Sequence, residues 1–423
     1  MNGNPSSSLL GASLSESRSA LAAVLLVSLA SPATPATLAQ LPDAERIDVQ
    51  PEVQPDVDTP REWRAANTWV MMVGLLEWES SHIYANMAKR DRADQVLYET
   101  LLGLGVPEDQ ITYLQDDEGT LENIEQEFTR LLAQTKEGDF LITYFTGHGT
   151  VDGEGKGYFV NYDAPDVDDW SGLWKVSSLV GQIEAEFAGD TVLLAAGCCY
   201  SGTLGDELRA LDTDKGYASL ASCLGTLESG GLWTFTETLV SGLTGQPYID
   251  ADDDGQISLR ELKDHSFEEV GVFMQQEISF AANENFPSKL NLVRALPKPA
   301  AGTGGYDPGG YYEILVGKRR ARKAAWKKAK VCEAADGMVT FSYYPGEFRE
   351  LKTLRADSQD IRPISRGRHD PEAVLDVFYN RRWHPAHLLG IDEGTGLHRV
   401  GFDKRAGWDG LFFYGDLRLR PGQ

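Results

Sequence analysis

Cysteine is scarce, with four in 423 residues, two of them adjacent at Cys198 and Cys199. Neighbouring cysteines rarely pair with each other, so the four make a poor disulfide framework and at least one of the two is expected to be a free thiol. Positive charge is scarce as well: 39 Lys and Arg face 64 Asp and Glu, a net charge of −25. The deficit is uneven. Residues 311–423 hold 21 Lys and Arg against 15 Asp and Glu, which leaves the first 310 residues at −31. Such a body is no nucleic-acid binder, and nucleic acid is not expected as a partner; only the basic run Lys318–Lys330 in the tail keeps that class open. Long apolar runs are missing too. The one candidate, Ala20–Ala30 after Arg18, is too short to span a bilayer as a mature helix and leads into small residues ending at Ala39. It reads as a signal peptide over residues 1–39, which implies a secreted or periplasmic protein. An uncleaved N-terminal membrane anchor is the rival.

What remains after these exclusions is a chain too long for one core, so two or more domains are expected. Residues 40–64 are acidic and proline-containing and read as a linker. From Trp69 onward apolar runs and helical patterns alternate. Trp69–Leu76, Ile111–Leu114, Asp139–Thr146, Thr191–Gly197 and Tyr217–Cys223 read as strands. Between them lie helical patterns around Val96–Leu102, after Thr120, over Val176–Phe187 and over Trp233–Leu243. Such alternation predicts an α/β fold, a mostly parallel sheet with helices on both faces, over residues 65–296. A second linker, residues 297–310, is rich in Gly and Pro.

Two of the buried strands end in chemistry. Asp139–Gly149 closes in Gly-His-Gly around His148, and Thr191–Gly202 closes in Gly-Cys-Cys-Tyr-Ser-Gly. Ligands and reacting groups collect at the carboxyl ends of strands in sheets of this kind. A thiol needs a base and oriented backbone N–H groups to act on a carbonyl, and a histidine with glycine beside it can supply both. Either residue alone is more often structural; the pair, each in a small-residue turn after a buried strand, points to a catalytic dyad.

The Gly-His-Gly turn, the strand ending Cys-Tyr-Ser-Gly and the spacing of about 50 residues resemble the caspase, metacaspase and legumain group of cysteine peptidases. The resemblance runs from about Trp69 to about Leu296 and takes in Arg92-Ala93-Asp94 and the Phe235–Leu239 helix. It implies a cysteine endopeptidase acting on a protein or peptide substrate, with Cys199 as nucleophile and His148 as partner. Gly149 and Cys199 would form the oxyanion hole. In that group an acidic residue usually stands two before the cysteine and lines the primary specificity pocket; here it is Gly197, so cleavage after basic residues does not carry over. Arg90, by a legumain-like alignment, and Glu228 are the other pocket candidates. The loop Asp206–Lys215 corresponds to one often cut during activation. The rival class is an inactive caspase-like scaffold whose tail binds a protein partner.

The segment Asp250–Glu261 places oxygen donors at the loop positions of an EF-hand: Asp250, Asp252, Asp254, the carbonyl of Gln256, and Glu261, with Gly255 at the turn. Calcium is the expected cofactor. In the tail, Trp326-Lys-Lys-Ala and Trp383-His-Pro-Ala recur 57 residues apart, each followed by an aromatic strand and an Arg-Pro, at Arg362 and Arg420. This internal repeat predicts two small all-β barrels, residues 311–366 and 367–423. They resemble Tudor- and agenet-like barrels, which implies an aromatic cage of Phe341, Tyr343, Tyr344, Phe402 and Trp408 and a protein ligand, although such rings are more often core.

Overall fold

A computed structural model of the chain describes residues 60–420, apart from 166–168, 231–232, 299–302, 318–323, 346–347, 371–373, 380–381 and 404–408. The signal peptide, most of the first linker, the start of the basic run and Trp408 therefore lie outside the described residues. Among the described residues no helix is long and apolar enough to cross a membrane.

The body runs β1 (Arg61–Glu62), β2 (Thr68–Gly74), α1 (Ala93–Gly103), β3 (Ile111–Gln115), α2 (Leu121–Leu132) and β4 (Phe140–Thr146). Three short strands follow, β5 (Gly149–Val151), β6 (Gly157–Phe159) and β7 (Trp174–Lys175). Then come α3 (Val176–Glu186), β8 (Thr191–Gly197), α4 (Thr203–Arg209), β9 (Gly216–Ala221), α5 (Thr234–Leu243), β10 (Gln256–Ser258), α6 (Leu259–Met274), β11 (Ser279–Ala282) and β12 (Leu290–Arg294). Six strands form the central sheet in the order β11-β9-β8-β4-β2-β3; five are parallel and the edge strand β11 is antiparallel.

Alternation along β2 shows how the sheet separates two cores. Met71 and Val73 belong to the core with Ile124, Phe128 and Leu131 of α2 and Leu179 and Ile183 of α3. Val70 and Met72 face the opposite core, with Leu97 and Leu101 of α1, Leu239 of α5 and Leu262 of α6. Helix α2 starts where Thr120 accepts the Asn123 N–H at 3.3 Å, and its buried residues keep helical spacing.

Two expectations change. The end of the first linker is strand: Arg61 and Glu62, both exposed, pair in parallel with Leu290 and Asn291 of β12, and Arg61 reaches the Thr191 hydroxyl at 2.9 Å. The segment Asp206–Lys215 is not loop throughout. Asp206–Arg209 completes α4, which the buried Leu204 and Leu208 hold against the sheet.

The tail consists of two five-stranded antiparallel sheets. The first has β13 (Tyr311–Val316), β14 (Ala325–Ala335), β15 (Met338–Tyr343), β16 (Glu350–Arg355) and β17 (Ile361–Pro363) in the order β16-β15-β14-β13-β17. The second has β18 (Val374–Tyr379), β19 (Arg382–Ile391), β20 (His398–Phe402), β21 (Asp409–Phe412) and β22 (Leu417–Leu419) in the order β21-β20-β19-β18-β22. The two orders are the same. Pairings among the described residues do not close either sheet into a ring.

Candidate active site

Strands β4 and β8 are neighbours, and their register pairs Thr146 with Gly197. His148 lies two residues beyond the first and Cys199 two residues beyond the second. Equal offsets from paired strand ends bring both groups to one edge of the sheet.

The His148 imidazole packs against the Trp78 ring, with centroids 4.3 Å apart, and lies 6.2 Å from Tyr84. Its Nε2 is 2.9 Å from the Ala85 carbonyl oxygen. A carbonyl only accepts, so Nε2 carries the hydrogen and donates it, and in the neutral ring Nδ1 is the acceptor. Burial pushes the His148 pKa below its ordinary value, against the opposing pull of the Ala85 bond. The ring is therefore neutral and able to take a proton at pH 7.

Cys199 is half-buried while Cys198 is buried. The turn that carries Cys199 includes Tyr200 at φ 58°, and the Tyr200 N–H donates to the Leu227 carbonyl at 2.8 Å. The Ser229 N–H points at the Cys199 sulfur from 3.3 Å. Burial pushes the Cys199 thiol up to about 11, the Ser229 N–H opposes the rise, and the negative charge of Glu228 adds to it. Burial also holds the Cys198 thiol well above the usual range. Among the described residues no hydrogen bond joins His148 to Cys199, and burial favours the neutral form of both groups.

Gly149 meets the backbone of the turn that carries Cys199. A Cβ there would stand 2.1 Å from the Cys199 carbonyl oxygen and 2.9 Å from the Cys198 sulfur, so only glycine lets the two turns approach this closely. Gly197 is different. A Cβ there would make ordinary contacts with Phe235, Thr146 and Thr236 at 3.5–3.7 Å, so a small side chain would fit, and the surface beside it is uncharged.

The pocket candidates separate. Glu228 is exposed and within electrostatic reach of Cys199. Arg90 is 66% exposed, pairs with Asp91 at 2.6 Å and lies over the Phe348 ring of the tail at 4.9 Å. The guanidinium built into the strand ends is Arg92: it donates to the Gly74 carbonyl and to Asp94, both at 2.7 Å, and to Asp116 at 2.9 Å. Ser229 and Ala85, which touch the two reactive groups, carry no signal of their own in the sequence.

In the acidic loop, carboxylate oxygens of Asp250, Asp252 and Asp254 lie within 4.8 Å of one another. Gly255 holds φ at 80°. Glu261 reaches back into the loop, its Oε1 accepting the Ala251 N–H at 2.8 Å, while its Oε2 accepts the Ser258 N–H at 2.8 Å in the capping box that starts α6. Lys289 lies 2.8 Å from Asp254. The donor set is hard oxygen throughout and suits a hard divalent cation.

The proposed aromatic cage is corrected. Phe341 and Tyr343 are buried in the core of the first tail sheet and Phe402 in that of the second, because they sit on the inward faces of β15 and β20. Tyr344 packs on Phe273 of α6, with centroids 5.2 Å apart.

No family profile matches the chain, and no curated protein matches it. Among solved structures, a protein of Geobacter sulfurreducens is 13% identical with a TM-score of 0.35, the likeness covering 55% of this chain and 96% of that one. The Drosophila initiator caspase Dronc is 11% identical with a TM-score of 0.35, covering 55% of this chain and 84% of its own. At those TM-scores the likeness carries no argument, and the site has to be read from its own geometry.

Proposed function

We propose that the chain is a cysteine endopeptidase that works through Cys199 and His148. The observation that carries this reading is the paired register of Thr146 and Gly197, with a half-buried thiol and a neutral, Nε2-protonated imidazole at matching offsets beyond it. The Cys199 sulfur attacks the substrate carbonyl carbon, and the thiol proton passes to Nδ1 of His148. The carbonyl π electrons move to oxygen, where the N–H groups of Gly149 and Cys199 receive the charge. Collapse of the tetrahedral species breaks the C–N bond, and the leaving amine takes the proton from the imidazolium. Water then attacks the thioester, His148 accepts its proton, and the thiolate leaves and is reprotonated. A peptide has to be extended to enter a sheet-end cleft, so loops and disordered segments of proteins are the substrates expected.

The test is labelling with a thiol-reactive peptide probe. Cys199→Ala should abolish label, and His148→Ala should slow peptide cleavage by about 10²–10⁴-fold, the usual contribution of a general base. Equal labelling of Cys198 and Cys199 would sink the assignment, and no labelling at all would favour the scaffold.

Calcium at the 250–261 loop is part of the same proposal. Asp250, Asp252 and Asp254 would hold the ion, with the Gln256 carbonyl and Glu261 as further ligands. Bound calcium would neutralise a crowded set of carboxylates. Saturating calcium, at a hundred times its dissociation constant, should raise stability by about 2.7 kcal/mol over chelator-treated protein. Identical melting curves in the two conditions would remove the site.

A further inference from the structure

Gln276 has no part in the mechanism above, yet it is the residue on which the nucleophile's surroundings hang. Its side chain is buried. Its Nε2 donates to the Ser222 carbonyl at 2.5 Å and to the Ser229 hydroxyl at 3.2 Å, and its Oε1 accepts the Gly230 N–H at 2.9 Å. One amide therefore pins both ends of the 222–230 turn, and it fixes the peptide next to the one whose N–H points at the Cys199 sulfur. The Ser222 hydroxyl completes the lattice, reaching Ser229 Oγ at 3.2 Å and the Cys198 carbonyl at 3.3 Å.

The residues flanking Gln276 belong to a different set of contacts. Gln275 caps α6 with φ 58°, and its carbonyl accepts the Leu411 N–H from β21 at 3.1 Å. At Gly410 a Cβ would lie 2.8 Å from that same carbonyl oxygen, so the approach of β21 requires a residue without one. Glu277, on the other side, is ion-paired with Arg399 of β20. The second tail sheet thus grips the connector immediately before and after the residue that holds the nucleophile's turn.

We propose that Gln276 is a positioning residue for Cys199, and that the second tail sheet holds it in place so that the tail is a working part of the peptidase site. The proposal rests on the reading of Cys199 as the nucleophile. A hydrogen bond donated to sulfur favours the thiolate, so loosening the Ser229 N–H should make the thiol harder to ionise.

The experiment uses the full chain and measures iodoacetamide alkylation of Cys199 against pH, resolved by peptide mass spectrometry. Cys332, exposed on β14, reports reagent reactivity in the same sample. Gln276→Met keeps the bulk and removes the hydrogen bonds. It should raise the pH midpoint for Cys199 by about one unit, with roughly tenfold slower alkylation below the midpoint, and leave Cys332 unchanged. Arg399→Ala should move the midpoint the same way by less, and Arg399→Lys should restore it. A structural role alone would lower the melting temperature without moving the midpoint, and that outcome overturns the proposal. An unmoved midpoint in Arg399→Ala overturns the tail's share, and it decides the matter should Gln276→Met fail to fold. The dyad reading fails separately, if His148→Ala leaves both alkylation and cleavage untouched.

Discussion

The two tail sheets share strand order and share a surface trio, but they meet the body by different physics. In the first, Arg362 lies 4.1 Å above the Trp326 ring and pairs with Glu313 at 2.7 Å. In the second, Arg418 lies 4.1 Å above the Trp383 ring and pairs with Asp376 at 3.0 Å. The docking differs. Lys330 of the first sheet is buried against Glu269 of α6, and Arg349 bridges Glu269 and Glu237, each at 2.7 Å. The second sheet sets Leu397 and Leu411 against Val272 of α6, and it holds the connector after the helix by a backbone hydrogen bond to Gln275 and the Arg399–Glu277 ion pair. A shift of the first sheet would leave Lys330 and Glu269 buried and unpaired, so displacing that sheet carries the larger penalty. The second sheet's contact with α6 itself is apolar and less directional, so this sheet can hold the connector near Cys199 without dictating the docking.

The largest effect should come from unpairing the buried charges. Glu269→Leu leaves Lys330 buried without its carboxylate and should cost roughly 3–5 kcal/mol in chemical denaturation. Adding Lys330→Met should recover most of that loss, since the pair and not the individual charge is what the site accommodates. Recovery of nothing would show that the buried pair is not what distinguishes the first sheet from the second. The smallest effect tests the sameness of the sheets. Arg362→Ala and Arg418→Ala should each cost about 0.5–1 kcal/mol, because both cations are partly exposed above an aromatic face. A difference of more than about 1 kcal/mol between the two would break the equivalence.

That trio was only half legible beforehand. The sequence repeat around Trp326 and Trp383 aligns Arg362 with Arg420 through their following prolines. In the structure Glu313 pairs across to Arg362 and Asp376 to Arg418, so the partner of Arg362 is Arg418, two residues earlier. Strand register decides which side chain stands over the ring, and a shared dipeptide does not carry register. The body shows the same division. Buried parallel strands betray themselves as continuous apolar runs, so β2, β4 and β8 are legible, and so is the placement of His148 and Cys199 just past strand ends. Helix α4 is too short, at seven residues, and too polar on its outer face to show a helical apolar period in sequence. Strand β1 was missed because two exposed, charged residues carry no pattern.

Local composition was enough to mark a glycine-flanked histidine and a thiol, each just past a buried strand, and a loop of spaced carboxylates before a capped helix. Those signals lie within a dozen residues of sequence, and periodicity and turn chemistry write them there directly. Which groups would surround the thiol depended on contacts across the chain. Ser229 reaches Cys199 across 30 positions, Gln276 reaches Ser229 across 47, and Leu411 reaches Gln275 from the far end of the tail. A serine or glutamine with no periodic neighbour looks like any surface residue until packing buries it, and only then do its hydrogen bonds have to be met inside the protein.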